Sequence, residues 1–498
     1  MLISGLVLGA VLGFVMQRGR FCVTGFLRDI FTQRSWRGFV ALLIVISVHA
    51  IGLAALTSAG VITPEYKELA PLAVIIGGVI FGLGIVLAGG CASGTWYRSG
   101  EGLIGSWIAL VFYALSAAAM KTGFLGDLQD SLKDRTVGLT SIHASLGISI
   151  WPLVIALSAL TAYLAVRYLR EEFSGPRPVT LAPRKSGLAH ILAEKPWHVY
   201  ATAAIVGVLG VIAWPLSAAT GRNDGLGITT PSSNLANYVV TGDTERFDWG
   251  VLLVLGILVG SFIAAKASGE FRLRVPDATQ GARSVVGGIF MGVGAAWAGG
   301  CTVGNGMVQT SLFSYQGWLA LASIAAGVAI AAKLWLKPSA PSLNDVPSTP
   351  STTNDTAVSE TAPVTSAATS PVSLPGSEGA GAAAGAAGTE ASPLAGAFAV
   401  APVALLDRSV VKQEDGKLKP LGDGRYELDT VGAVCPFPLI EAKDAINKIE
   451  VGEELVIPFD CTQATDAIPR WAAKDGHEVT NFEQTGEAGW TISVRRGR

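Results

Sequence analysis

Nine stretches of this chain are apolar on every side rather than alternating with a strand or half-buried helix period. They cover residues 2–17, 38–60, 71–90, 102–120, 150–168, 199–218, 249–266, 284–300 and 316–336. As helices they are long enough to cross roughly 30 Å of hydrocarbon. Several are dense in glycine, as at Gly77-Gly78, Gly82 and Gly84 and again at Gly287-Gly288, Gly292 and Gly294. That pattern predicts either close helix packing or helices broken around a cavity. The loops after the first, third, fifth and seventh stretches hold most of the basic residues, among them Arg18, Arg20, Arg28, Arg37, Arg98, Arg184, Lys195, Lys266 and Arg274. The positive-inside rule puts those loops in the cytoplasm of an inner-membrane protein. The amino terminus is then outside, and whatever follows the ninth stretch is inside. No acidic residue lies within the predicted spans.

The apolar pattern stops near Lys337, so 1–337 reads as a membrane domain. From 338 to 402 the chain is Ala, Ser, Thr, Pro and Gly, with nothing to form a core, and reads as a disordered linker. About sixty residues of flexible coil span roughly 45 Å, enough for the next domain to reach back to the cytoplasmic mouth. From 403 to 498 short-period patterns return. Strands are expected over 426–429, 455–459, 478–484 and 490–494, and helices over 436–449 and 463–474. The fold expected is a polytopic α-helical membrane protein of about nine spans and re-entrant short helices in an inverted repeat. A C-terminal α/β two-layer sandwich follows, with two helices on a four-stranded sheet.

Composition narrows the function. Half of the 498 residues are hydrophobic and 15% are charged, outside the range of a single soluble domain. A net charge of -2 without a dense Lys/Arg run excludes nucleic acid as a partner and leaves membrane lipid as the surroundings. No phosphate loop or metal-spaced histidine pair is visible, and no cofactor or metal is expected. The five cysteines, Cys22, Cys91, Cys301, Cys435 and Cys461, are too few and too scattered for a disulfide framework and are expected as free thiols.

The chemistry lies in a repeat. Leu87-Ala88-Gly89-Gly90-Cys91-Ala92-Ser93-Gly94 and Trp297-Ala298-Gly299-Gly300-Cys301-Thr302-Val303-Gly304 end the third and eighth stretches alike. An odd offset of five spans makes them enter from opposite sides, as in inverted-repeat transporters. Gly90 and Gly300 let the backbone turn, and the residues after them can begin a short helix whose free N–H groups face an anion. Ser93, Thr95, Thr302 and Asn305 add donors. Cys22, in Gly19-Arg20-Phe21-Cys22, is also at a helix end. One membrane cysteine is usually a small apolar filler. Three at broken helix ends suit a path for a soft, sulfur-bearing anion, because a thiol is a weak donor with a polarisable sulfur.

Taken together, the Gly-Arg-Phe-Cys and paired Gly-Gly-Cys segments resemble the YeeE/YedE (TsuA) family of thiosulfate transporters across residues 1–337. The resemblance implies an hourglass-shaped protein with a thiosulfate path lined by Cys22, Cys91 and Cys301. Some members of that family are linked to selenium, which keeps related sulfur and selenium species open as substrates. In the last segment, Cys435 precedes Pro436 at a helix start, where a thiolate is stabilised and becomes nucleophilic. Cys461, after a strand, reads as structural. The Cys-Pro-x-Pro motif at Cys435, with Phe459-Asp460-Cys461-Thr462 and Gly476-His477, resembles the YeeD (TsuB) branch of TusA-like sulfur carriers. That resemblance implies a persulfide on Cys435, sulfurtransferase chemistry, intramolecular contact with the membrane domain and downstream sulfur-accepting enzymes. A competing reading makes the membrane part an anchor for a sulfurtransferase.

Overall fold

The computed structural model describes residues 2–336, 418–433 and 435–497. The linker expected over 338–402, and the start of the domain expected from 403, lie outside the described residues. The first part is helical: α1 (Ile3–Arg18), α2 (Val23–Thr32), α3 (Arg37–Ser58), α4 (Pro71–Leu87), α5 (Ala92–Gly100), α6 (Ile104–Lys121), α7 (Gly126–Lys133), α8 (Ile142–Leu146), α9 (Trp151–Ser174), α10 (Gly187–Ala193), α11 (Val199–Ala218), α12 (Thr229–Thr241), α13 (Trp249–Ser268), α14 (Ala278–Ala298) and α15 (Tyr315–Trp335). A π-helical segment, Gly304–Gln309, lies between the last two. Among the described residues, 8 spans are long and apolar enough to cross a membrane. The expected ninth, α14, has the length, but its opening run through Thr279, Gln280 and Arg283 keeps it out of that set.

The helices form four units of long helix, short segment and long helix: α1–α2–α3, α4–α5–α6, α11–α12–α13, and α14 with the π segment and α15. Their neighbours exchange in pairs. α1 packs along α13 as α11 packs along α3, α14 lies against α6 as α4 lies against α15, and α12 meets α6 as α2 meets α15. Such reciprocal pairing is what an inverted repeat produces. Close approach depends on glycine: a Cβ on Gly9 of α1 would run into the Leu253 carbonyl of α13, and one on Gly260 into the Ala10 carbonyl.

The C-terminal domain has β1 (Leu418–Gly422), β2 (Arg425–Leu428), α16 (Phe437–Ile446), β3 (Glu454–Phe459), α17 (Ala464–Asp475), β4 (Glu478–Gly486) and β5 (Gly489–Arg495). The sheet has 5 strands in the order β1-β2-β3-β5-β4 rather than the four expected. The extra edge strand is joined to β2 through Asp423-Gly424, both at positive φ (52° and 69°), a hairpin turn that pairs Leu418 with Leu428. β2 and β3 are parallel, with α16 as their crossover. Leu439, Leu455, Ile457, Phe459, Ile468 and Trp490 are buried between sheet and helices. Residues 2–336 and 418–497 belong to one compact unit. We call the side of the helical part that meets the C-terminal domain its docking face.

Candidate functional site

Each membrane cysteine sits where a long helix breaks and a short one begins. Gly89 (φ 72°) and Gly299 (φ 76°) occupy the same place in the two repeats and take the left-handed conformation that turns the chain ahead of Cys91 and Cys301. Arg20 does the same before Cys22 at φ 48°, a strained value for a residue with a side chain. Cys22 and Cys91 then occupy the N-caps of α2 and α5. The Ser93 hydroxyl lies 3.5 Å from the Cys91 sulfur. A Cβ on Gly94 would stand 3.3 Å from the Cys91 sulfur and 3.6 Å from that of Cys22, so this glycine leaves the room that both occupy.

Cys301 is 1% exposed. Beside it the Thr302 hydroxyl is buried with no hydrogen-bond partner. Tyr113 of α6, hydrogen-bonded to Thr229 at 2.8 Å, is within electrostatic reach of both Cys301 and Cys91. Two expected donors are otherwise engaged. Asn305 gives its amide hydrogens to the carbonyls of Ala298 (2.7 Å) and Gly300 (3.0 Å) and accepts from Gln316 (2.9 Å). It therefore holds the turn, and Gly300 packs against it. The Thr95 hydroxyl donates to the Ala92 carbonyl at 2.7 Å. Conversely, Arg98, expected in a loop, lies within α5 at 5% exposure and donates to the Gly89 carbonyl beside Gly90. Its place seven residues after Cys91, on the same face of a helix, is the sequence signal for this position.

On the docking face, Cys435 and Cys461 are bonded as a disulfide with Cα atoms 6.3 Å apart. This corrects the expectation that all five cysteines are free thiols. A sequence separation of 26 hides the pairing, because the β3–α17 turn and the start of α16 come together only in the folded sheet. The Cys435 carbonyl accepts from Arg28 of α2 at 3.3 Å. Further contacts join the two parts: Arg20 to Thr465, Arg470 to Glu172 at 2.6 Å, Arg274 to Asp460 at 3.9 Å, and the Ala488 amide to the Gly269 carbonyl at 3.1 Å. Between them lies a cavity of about 1470 Å³ whose lining includes both Cys22 and Cys435.

Two carboxyl groups are buried at this end of the helical part, Glu270 (5% exposed) in the wall of the cavity and Glu101 (3%) outside its lining. They escape a search for acids within spans because they lie just past the ends of α5 and α13. Burial, reinforced by the negative charge of Glu270, pushes the Glu101 carboxyl up to about 7. Burial acts on Glu270 in the same direction, but Arg20 and Arg18 outweigh it and hold that carboxyl below the usual range.

Inverted helical units around buried thiols, with a second thiol site on a docked α/β domain, define a multi-pass membrane protein fused to a small sulfur-carrier-like domain. Residues 18–330 match the sulphur transport family, and the chain belongs to it. Residues 426–496 match the family described as sulfurtransferase TusA. The thiosulfate transporter TsuA of Escherichia coli (strain K12) is 51% identical over 328 residues, covering 66% of this chain and 93% of that protein. That of Spirochaeta thermophila is 32% identical over 335 residues, 64% of this chain and 94% of its own length. The putative sulfur carrier protein TsuB of Escherichia coli is 59% identical over 70 residues, 14% of this chain and 93% of that protein.

Proposed function

We propose that the chain imports thiosulfate and passes its sulfane sulfur to its own C-terminal domain. In this reading 1–337 transports, 338–402 tethers and 403–498 carries sulfur, with the docking face toward the cytoplasm of an inner membrane and the amino terminus outside. The anion passes Cys301 with Thr302, then Cys91 with Ser93, then Cys22, taking hydrogen bonds from thiols and hydroxyls in place of water. The observation that carries the reading is the cavity that Cys22 and Cys435 both line. It gives the anion leaving Cys22 a volume that also reaches the residue that consumes it. The relatives named as thiosulfate transporters and as a sulfur carrier support the same order.

Once a cellular thiol has opened the Cys435–Cys461 disulfide, the Cys435 thiolate attacks the sulfane sulfur. The sulfur–sulfur bond of thiosulfate breaks, sulfite leaves with the electron pair, and a persulfide remains on Cys435 for downstream sulfur-accepting enzymes. The tether holds this thiol at an effective concentration of order mM, so arriving anion is consumed rather than returned. The test is C435S in cells given labelled thiosulfate. Sustained accumulation of label is expected to fall strongly, while thiosulfate binding to the purified variant stays as in the parent. Equal accumulation by variant and parent would reject capture at Cys435.

A further inference from the structure

Three helices end together at the docking face, α1 at Arg18, α5 at Gly100 and α13 at Ser268, and a compact polar cluster fills their junction. The Gln17 amide donates to Glu270 at 2.6 Å and accepts from Arg18 at 3.4 Å, and Glu101 is buried in the same junction, where the charge of Glu270 acts on it. Ser268 donates to Glu270 at 3.2 Å. Arg18 and Arg20 reach Glu270 at 3.3 and 3.0 Å. Arg98, Arg274, Arg18 and the Tyr97 hydroxyl are the other groups within electrostatic reach of Glu101, and Glu194 faces Arg18 from the loop before α11. This is not a closed set of ion pairs. Nε of Arg18, a residue 1% exposed, is buried with no acceptor, as is Nη2 of Arg274, whose Nε comes only within 3.9 Å of Asp460. Cationic donors left unpaired in a buried site cost free energy until an anion supplies the missing acceptors.

The cluster is joined to both ends of the path. α5 has Cys91 at its start and Glu101 just past its end, and α1 leads through Arg18 and Arg20 to Cys22. On the other side Arg20 bonds Thr465, and Arg274 approaches Asp460 of the C-terminal domain. Glu270 stays ionised between two arginines, whereas Glu101 has the environment of a carboxyl that changes charge near neutrality.

We propose that Glu101, buried among these arginines in the cluster that holds Glu270, is a proton-binding site through which the chain moves a proton together with its anion toward the docking face. This inference rests on the thiosulfate reading above. An anion near these arginines favours the neutral Glu101, and by reciprocity a neutral Glu101 leaves the arginines free to hold the anion more tightly. Loss of the proton on the docking side returns a negative charge to the cluster and expels the anion into the cavity. One proton carried with a divalent anion cancels half of its charge and halves the electrical work of entering a negative interior.

The test uses the purified full-length chain, in detergent for binding and in proteoliposomes for uptake. Thiosulfate binding by the parent should weaken roughly tenfold between about pH 6 and about pH 8, as one linked proton requires, and an inward acid gradient should stimulate uptake. E101Q, of the same shape and permanently neutral, should bind at every pH as the parent does at the acid end, and its uptake should ignore the gradient. E101D should keep a pH dependence. A parent whose affinity is flat over this range, or an E101Q variant with the parent's slope, overturns the proposal. A chain that binds no thiosulfate at any pH overturns the thiosulfate reading instead. The proton site is then decided by infrared difference spectra. A carboxylic-acid band that grows on acidification and is missing from E101Q supports it, and the same band in E101Q overturns it.

Discussion

Two thiols that share the space beside one glycine give the residue scale its first prediction. The sulfurs of Cys22 and Cys91 both lie beside Gly94, and a serine at either place keeps the size while replacing a soft donor by a hard one. The serine hydroxyl keeps a donor but loses the polarisable sulfur, so C91S and C22S should each lower initial thiosulfate uptake several-fold. Normal uptake in both variants would remove sulfur-specific contact from the mechanism. The second prediction concerns Cys435, whose sulfur is bonded to Cys461. A disulfide-bonded sulfur is not a thiolate and is not available as a nucleophile. Mass spectrometry after incubation with thiosulfate should therefore find added sulfur on Cys435 of the parent only after reduction, and on Cys435 of C461S without it. Sulfur found on Cys461 of C435S to the same extent would reverse the assigned roles.

At the scale of elements, the α1–α13 pair rests on backbone contact at Gly9, Gly256 and Gly260. Gly260→Leu would push the helices apart, and overpacking of this kind costs about 1–3 kcal/mol. The expected result is a lower thermal midpoint in detergent together with slower uptake, since α1 carries the Cys22 turn at its end. An unchanged midpoint would mean the helices separate freely. The short segments α2 and α5 and the π segment show why whole-span hydropathy gives an incomplete account of the fold. α5 contains Arg98 and ends at Glu101, and both polar side chains are covered by neighbouring helices instead of by water or lipid. A window average sees only their cost.

For the whole molecule, docking of the C-terminal domain is electrostatic and reciprocal. Arg470 pairs with Glu172 of α9, which also holds Arg37 at 3.2 Å, while Arg20 and Arg28 reach Thr465 and the Cys435 carbonyl. The Arg470–Glu172 pair is about a quarter exposed, so screening limits it to about 1 kcal/mol. E172R should lower the yield of a Cys22–Cys435 cross-link in the reduced chain roughly fivefold, and E172R/R470E should recover much of it. A double variant no better than the single one would show that this pair does not guide docking. The sequence alone determined the apolar spans, the inverted Gly-Gly-Cys repeat and the helix-start cysteine of the last domain, because periodicity, glycine turns and N-cap chemistry are local. Only the tertiary structure decided that one glycine leaves room for the sulfurs of both Cys22 and Cys91, that Cys435 meets Cys461, that Asn305 braces a turn, and that Glu101 and Glu270 are buried in one cluster. Each of those depends on residues distant in the chain sharing a buried volume, where removal from water and the nearest charge set what a side chain can do.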